Sequence, residues 1–214
     1  MPKARRAGRR ASGKIHRIAI STGGGDAPGL NAVIRAVVLA AHNRGWDVHG
    51  IREGYNGVLL PDQYRDGGLV HLTPEKVAGI THLGGTIIGT TNAGNPLHFP
   101  VRQANGRIVE VDRTDELARA LEANGIDAVV AVGGDGSLAI ANALHQKGVR
   151  IVGVPKTIDN DLRRTVVTFG FGYWDRYYRD RPWFGDWDHW HLRIRDRDRD
   201  RDWDGDRDRD RDRD

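Results

Sequence analysis

The sequence predicts an α/β fold, a Rossmann-like and mostly parallel sheet with helices on both faces, followed by a disordered low-complexity tail. Three observations predict it. Short apolar runs alternate with helix-patterned segments between residues 15 and 157. Several of these runs end in turns rich in glycine that open the next helix. From residue 173 the composition becomes aromatic and charged, and then an alternation of Arg and Asp.

The first predicted elements are a strand, a helix and a second strand. Residues 15–21 are a short apolar run that ends in glycines, which is typical of a buried strand. Residues 28–44 space their apolar side chains at helical intervals, with Pro28 suited to the first turn and Gly45 to the C-terminal stop. Residues 48–52 then form the second predicted strand.

The middle of the chain predicts shorter elements. Residues 73–75, Thr-Pro-Glu, have the order of an N-cap, a first-turn proline and a first-turn acid, and so predict a short helix. Residues 86–88, Thr-Ile-Ile between glycines, predict a short strand. Residues 101–111 predict a hairpin, because Asn105-Gly106 is the strongest two-residue signal for a hairpin turn.

The last part of the body predicts a helix–strand–helix–strand order. Thr114 is the predicted N-cap of a helix that ends at Gly125. A strand over residues 127–132, a helix over 137–147 and a strand over 151–154 follow. Apolar strands separated by helices at this spacing indicate a parallel sheet covered on both faces.

Composition divides the 214 residues into three parts. Residues 1–14 form a basic, flexible arm, residues 15–172 an α/β body without net charge, and residues 173–214 a tail with 14 Asp and 12 Arg. Because the net charge of +4 originates in the arm, it does not predict a nucleic-acid partner. The absence of Cys excludes disulfides and cysteine zinc sites and is compatible with a cytoplasmic location, and no apolar run is long enough to predict a membrane span.

The tail allows three interpretations. Its strict alternation of opposite charges offers no apolar face to bury, which predicts disorder. A charged repeat of this kind also occurs in RNA-associated segments. The third interpretation is an artefact, since a repeated six-base unit read in the wrong frame would give a two-residue repeat.

The first turn with candidate chemistry is residues 21–32, which follow a strand and open a helix. Gly24 and Gly25 would let backbone amides approach a phosphate, and the helix N-terminus would favour its negative charge. The alternative is a tight structural turn. The sequence does not match the Walker phosphate-binding pattern, which ends in Gly-Lys followed by Ser or Thr.

The second and third turns each add carboxylates. Residues 132–137, Val-Gly-Gly-Asp-Gly-Ser, place Asp135 at the start of a helix, where it would either hold Mg²⁺ against nucleotide phosphates or cap the helix. Residues 155–161, Pro-Lys-Thr-Ile-Asp-Asn-Asp, place Asp159 and Asp161 after the next strand, where open α/β sheets bind ligands.

In this order, Gly-Gly-Asp-Ala-Pro-Gly at 24–29, Gly-Gly-Asp-Gly-Ser at 133–137 and Thr-Ile-Asp-Asn-Asp at 157–161 resemble the 6-phosphofructokinase family, which has ATP-dependent and pyrophosphate-dependent members. The resemblance extends from about residue 14 to residue 171 and corresponds to the N-terminal, donor-binding half. It implies an enzyme that transfers a phosphoryl group from Mg-ATP, or pyrophosphate, to the 1-hydroxyl of fructose 6-phosphate in glycolysis. The family is usually dimeric or tetrameric.

The resemblance also implies a role for individual residues. Asp159 matches the general base, Thr157 a residue at the acceptor or transferred group, and Asp135 and Asp161 carboxylates at the Mg²⁺ ion. Lys156 precedes the Thr-Ile-Asp-Asn-Asp motif, as a lysine does in pyrophosphate-dependent members, and is also expected to be a catalytic residue. The residues implied to lie around the donor are Gly24, Gly25, Tyr55, Gly134, Gly136 and Ser137.

Two departures from the family limit what the resemblance implies. Asn92 stands where many ATP-dependent members have a phosphate-contacting arginine. After residue 172 the sequence carries none of the motifs of the acceptor-binding half. We therefore expect these 214 residues to be inactive in transfer, with a non-catalytic nucleotide- or phosphate-binding fragment as the alternative to an enzyme.

Overall fold

The computed structural model describes residues 13–157, 162, 165 and 168–170. All of them belong to the first of two units into which the chain divides, Met1–Phe171 and Gly172–Asp214. Residues 1–12 of the predicted arm, the predicted tail, the predicted catalytic residue Asp159 and the predicted metal ligand Asp161 lie outside the described residues.

The described part of the chain contains eight strands in two sheets. They are β1 (Arg17–Thr22), β2 (Asp47–Ile51), β3 (Leu69–Leu72), β4 (Phe99–Arg102), β5 (Ile108–Val111), β6 (Ala128–Gly133), β7 (Ile151–Thr157) and β8 (Phe169–Gly170). Six of them form the main sheet in the order β3-β2-β1-β6-β7-β8, in which only the β2–β3 pair is antiparallel. The mostly parallel sheet predicted from the sequence is confirmed.

Helices cover the two faces of this sheet. They are α1 (Leu30–His42), α2 (Asn56–Leu59), α3 (Thr114–Ala123) and α4 (Asp135–Gln146). On one face, Ile20 packs among buried side chains of α1 such as Ile34. On the other face, Val129 packs among buried side chains of α3 and α4, including Leu117 and Leu144. Alternate residues of a strand point to opposite faces, so the apolar runs of the central strands serve both layers. None of the described helices is both long and apolar enough to cross a membrane.

Two predictions for the middle of the chain are wrong. Residues 73–78 make a hydrogen-bonded turn that does not extend into a helix, and residues 86–88 are a turn instead of a strand. The latter segment packs by burial of Ile88 and by a hydrogen bond from the Ile87 amide to the Asn31 side chain, 2.9 Å long. Tertiary contacts therefore override the β-branched pattern there. The edge strand β3 was not predicted.

The hairpin around Asn105-Gly106 is confirmed by antiparallel pairing of β4 with β5. It is attached to the body through Arg113, just before α3. The Arg113 guanidinium lies 4.4 Å from the centre of the Phe99 ring and donates to the Leu59 carbonyl at 3.2 Å. The Arg113 amide donates to the Pro96 carbonyl at 2.8 Å. These contacts fix the start of the hairpin and the residues before it to the segment that precedes α3, and that segment to α2.

One flank of the sheet is only partly covered. On β7, Ile151 packs on the face of α3 and α4, so the next residue, Val152, points to the face of α1. Val152 is 64% exposed, and its neighbours Val130 and Val154 are only partly buried. Helix α1 therefore covers the β1–β2 side of this face more completely than the β6–β7 side.

The carboxyl ends of β1 and β6 are joined closely. Their parallel register pairs Thr22 with Val132, and the Gly23 amide donates to the Val132 carbonyl at 2.9 Å. A Cβ atom built on Gly133 would lie 2.3 Å from Ser137 Oγ and 3.0 Å from the Gly23 carbonyl oxygen. The two strand ends can therefore approach this closely only because Gly133 has no side chain.

We expect Gly133→Ala to lower the free energy of unfolding by about 1–3 kcal/mol, the usual effect of adding a methyl group to a filled space. Gly136→Ala is the matched control, because a Cβ there would meet nothing within 4 Å. Alanine in that helical turn should be neutral or stabilising by up to about 1 kcal/mol. Urea denaturation of both variants measures the difference. Equal stability of the two would contradict the close approach.

Candidate functional site

A cavity of about 250 Å³ opens where β1 and β6 end. Parallel strands bring their carboxyl ends to one edge of the sheet, where α/β proteins bind ligands. Four segments line it: the two glycine turns that follow these strands, Gly54 and Tyr55 just before α2, and residues 91–96. Its glycines are Gly23, Gly24, Gly54, Gly94, Gly134 and Gly136. The structure therefore brings the first and second predicted turns together.

The second turn presents the start of α4 to the cavity. Gly134, the N-cap residue of α4, is extended and has no capping side chain. Its carbonyl accepts the first helical bond, from the Leu138 amide at 2.9 Å. The amides of Asp135, Gly136 and Ser137 precede that first bond, and a helix leaves such amides without intrahelical partners. Of the predicted donor-binding residues, Gly134, Gly136 and Ser137 line the cavity. The amide groups and the helix dipole make this edge suited to an anion.

Asp135 begins α4 with an exposed side chain. It does not cap the helix, because no side-chain cap is formed there. No group of three or more metal-ligating side chains occurs among the described residues. Mg²⁺ is commonly held by one or two carboxylates together with substrate phosphates. A single exposed carboxylate beside phosphate-suited amides fits that mode of binding. The second predicted metal ligand, Asp161, lies outside the described residues.

In the first turn, the predicted donor-binding residues Gly24 and Gly25 have different surroundings. Gly24 lines the cavity and has a φ of +81°, but its amide donates to the Thr91 carbonyl at 3.1 Å. Gly25 does not line the cavity, and a Cβ there would have no neighbour within 4 Å. Gly24 thus leaves room in the cavity because it has no side chain, while the backbone of Gly25 is accessible because no atom crowds it.

Lys156 reaches the first turn from β7. Its side chain is buried, and the ammonium group donates to the Gly25 carbonyl oxygen. Burial lowers the pKa of the Lys156 ammonium, and the nearby Asp26 carboxylate opposes the shift. The next residue, Thr157, ends β7, and its carbonyl accepts from the Thr168 hydroxyl at 2.7 Å. Lys156 and Thr157 are thus placed at the sheet edge, and Asp159 lies outside the described residues.

Tyr55 lies on the inner wall of the cavity and is 5% exposed. Burial raises the pKa of its hydroxyl. Ser21 lies beside it on the same wall and donates to the Gly54 carbonyl at 2.9 Å. Pro96 and Ile140 add apolar surface. The cavity therefore combines a largely apolar inner wall with a polar edge of backbone amides.

Sequence reasoning missed the wall formed by residues 91–96. This segment reaches the site because the Thr22 hydroxyl donates to the Gly89 carbonyl at 2.8 Å and the Thr90 hydroxyl donates to the Gly24 carbonyl at 2.6 Å. Asn92, noted from the sequence only as a departure from an arginine, lines the cavity. The polar run that follows Gly89 was a signal, but it did not reveal where tertiary contacts would place the segment.

Comparisons with known proteins agree with this architecture. A family model described as phosphofructokinase matches residues 17–172. An ATP-dependent 6-phosphofructokinase 2 of Clostridium perfringens is 48% identical, over 73% of this chain and 42% of that protein. A pyrophosphate–fructose 6-phosphate 1-phosphotransferase of Amycolatopsis methanolica is 42% identical, over 72% of this chain and 40% of that protein.

The chain is also similar to solved structures of phosphofructokinases. The crystal structure of Pichia pastoris phosphofructokinase in the T-state aligns with a TM-score of 0.60 and 34% identity, over 75% of this chain and 17% of that one. The chain spans less than half the length of the curated relatives it matches. Because the family model covers most of the chain and its turns converge on one cavity, the chain belongs to the phosphofructokinase family.

Proposed function

We propose that this chain carries the donor-binding part of a 6-phosphofructokinase, which transfers a phosphoryl group from Mg-ATP to the 1-hydroxyl of fructose 6-phosphate. The observation that supports it is the cavity in which the two glycine turns meet the uncapped start of α4. Relatives are named as ATP-dependent and as pyrophosphate-dependent enzymes of this reaction. We further propose that the protein acts in glycolysis in the cytoplasm and as a homo-oligomer, as the resemblance implies.

The polar edge of the cavity is the proposed site of the donor phosphates. Amides at the start of α4 would donate to phosphate oxygens, and the helix dipole would add a favourable field. Asp135 would hold Mg²⁺ against those oxygens, which screens the charge of the phosphates. Phosphoryl transfer depends mostly on positioning and electrostatic stabilisation, and these groups supply both for the donor.

The remaining roles concern the transfer itself. We propose Asp159 as the general base that accepts the proton of the sugar hydroxyl, with Asp161 as a second carboxylate near the metal. Thr157 would contact the acceptor or the transferred group. Lys156, buried at the end of β7, would contribute positive charge at the same edge. Together they would hold the acceptor oxygen in line with the donor.

ATP is the proposed donor in preference to pyrophosphate. Gly136 lines the cavity, and a Cβ there would meet nothing within 4 Å, which leaves room for the inner phosphate of a nucleotide. The apolar inner wall with Tyr55 and Ile140 suits a nucleoside and offers little to pyrophosphate. Lys156 is the feature that favours pyrophosphate by resemblance. We propose ATP because the open space at Gly136 and the apolar wall with Tyr55 and Ile140 both support a nucleotide donor.

Displacement titrations with ATP and pyrophosphate in Mg²⁺ test this preference. We expect tighter binding of ATP to the natural chain. Gly136→Asp should weaken ATP binding by roughly tenfold or more, because a carboxylate would occupy the open space and repel the inner phosphate. Pyrophosphate binding should change less. Tighter binding of pyrophosphate than of ATP by the natural chain would contradict the proposal.

Substitutions of Asp135 and of Asp159 should have different effects on the affinity for Mg-ATP. Asp135→Ala should weaken Mg-ATP binding by about tenfold or more, because the metal-bridged contact is lost. In EDTA it should leave ATP binding unchanged or make it tighter, because no metal then screens the carboxylate from the phosphates. Asp159→Ser serves as the matched carboxylate control and should leave Mg-ATP binding nearly unchanged. Isothermal titration calorimetry gives both values. Equal losses in the two variants would contradict the separate roles.

A second candidate function is a nucleotide- or phosphate-binding fragment without catalysis. The observation that favours it for these 214 residues is that the match to the family ends at residue 172, after less than half of the relatives' length. The acceptor is a sugar phosphate dianion, whose site requires several fixed cations. In the tail, nearly every Arg is adjacent to an Asp that competes for it.

The 214-residue chain by itself should therefore bind donor but not phosphorylate fructose 6-phosphate at a useful rate. A coupled assay for fructose 1,6-bisphosphate, run with ATP and with pyrophosphate, measures turnover. We expect a value far below the range of roughly 1–100 s⁻¹ that is usual for kinases. A turnover of about 1 s⁻¹ or more would show that the described donor site and the remaining chain suffice for catalysis.

A further inference from the structure

Two successive carbonyl groups of the first glycine turn are held by side chains from other parts of the fold. The Thr90 hydroxyl donates to the Gly24 carbonyl at 2.6 Å, and the Lys156 ammonium donates to the Gly25 carbonyl. We propose that Thr90 is a positioning residue for donor binding, which together with Lys156 fixes the first glycine turn, whose Gly23 and Gly24 line the cavity, and leaves the amides of Gly25 and Asp26 open to the donor phosphates. This inference rests on the proposed function of the cavity.

The geometry of the peptide unit carries the argument. The Gly24 carbonyl and the Gly25 amide belong to one peptide, as do the Gly25 carbonyl and the Asp26 amide. None of the described residues has a cis peptide bond, and in a trans peptide the N–H and C=O groups point in opposite directions. Because Thr90 and Lys156 bind the two carbonyls, the two amides face away from these side chains. Within the described residues, nothing accepts a hydrogen bond from either amide.

The peptide before these two is fixed in another way. The Gly24 amide donates to the Thr91 carbonyl at 3.1 Å, so Thr90 and Thr91 bind both sides of Gly24. The Gly24 amide is therefore occupied by Thr91, whereas the amides of Gly25 and Asp26 have no backbone acceptor among the described residues. Two successive amides without a partner can contribute to an anion-binding concavity.

This arrangement has an energetic reason. A run of three glycines has more backbone freedom to lose than any other sequence, so ordering it upon ligand binding would reduce affinity. Anchoring the carbonyls before the ligand arrives removes that cost from the binding step. Thr90 can do this through a single neutral hydroxyl, without adding charge to the phosphate site.

The test compares Thr90→Val, which has nearly the same shape but no hydroxyl, with Thr90→Ser, which keeps the hydroxyl. Thr73→Val is the matched control, since the Thr73 hydroxyl also hydrogen-bonds to a backbone group, the Lys76 amide, but makes no contact with the first glycine turn. Calorimetry measures binding of Mg-ATP and of magnesium pyrophosphate to the full chain. Amide NMR spectra follow the shifts of Gly25 and Asp26 during the same titrations, and thermal melts report stability.

We expect Thr90→Val to weaken binding of both ligands by about tenfold, and to reduce the shifts of the Gly25 and Asp26 amides. Thr90→Ser and Thr73→Val should bind and shift as the natural chain does. If Thr90→Val does not fold, Thr90→Ala replaces it under the same criteria.

Three results would overturn the inference. Undiminished binding and shifts in Thr90→Val would overturn it and leave the proposed function intact. Unfolding of both Thr90→Val and Thr90→Ala would assign the hydroxyl to stability instead of positioning. Failure of the natural chain to bind either ligand would overturn the inference and the proposed function together.

Discussion

The parallel pairing of β1 with β6 is the constraint on which the site depends. It aligns the ends of two strands that are more than a hundred residues apart in the chain and sets their glycine turns side by side. The contact of Gly23 and Gly133 with Ser137 then brings these turns close to the start of α4. Without this register the first turn would not meet the start of α4, whose amides form the polar edge of the cavity.

Burial of a lysine beneath the first turn has a cost that the structure offsets locally. An ammonium group taken out of water is unfavourable unless it finds a partner. Lys156 finds a backbone carbonyl and the nearby charge of Asp26. The same contact orders a flexible turn, so a group that is costly to bury also makes the site more rigid. A methionine at this position would fill similar space without either effect.

The sequence predicted the elements whose signals are local and strong. The central strands, α1, α3, α4 and the Asn105-Gly106 hairpin follow from apolar periodicity and turn chemistry. The segment around Thr86 and Ile88 was not predictable in this way, because its conformation depends on partners elsewhere in the chain. The site divides similarly. Glycine motifs identified two walls, whereas Thr90 and Asn92 were placed by tertiary contacts that no local pattern encodes.

The partly covered flank around Val152 affects which amino-acid replacements this fold can accept during evolution. The cavity lies at the carboxyl ends of the strands, whereas Val152 lies near the amino end of β7, on the side of the sheet that α1 covers incompletely. The exposed apolar flank and the cavity therefore belong to different parts of one sheet. Polar replacements at Val152 would leave the lining of the cavity unchanged, so the outer surface and the selectivity of the cavity can evolve independently in this fold.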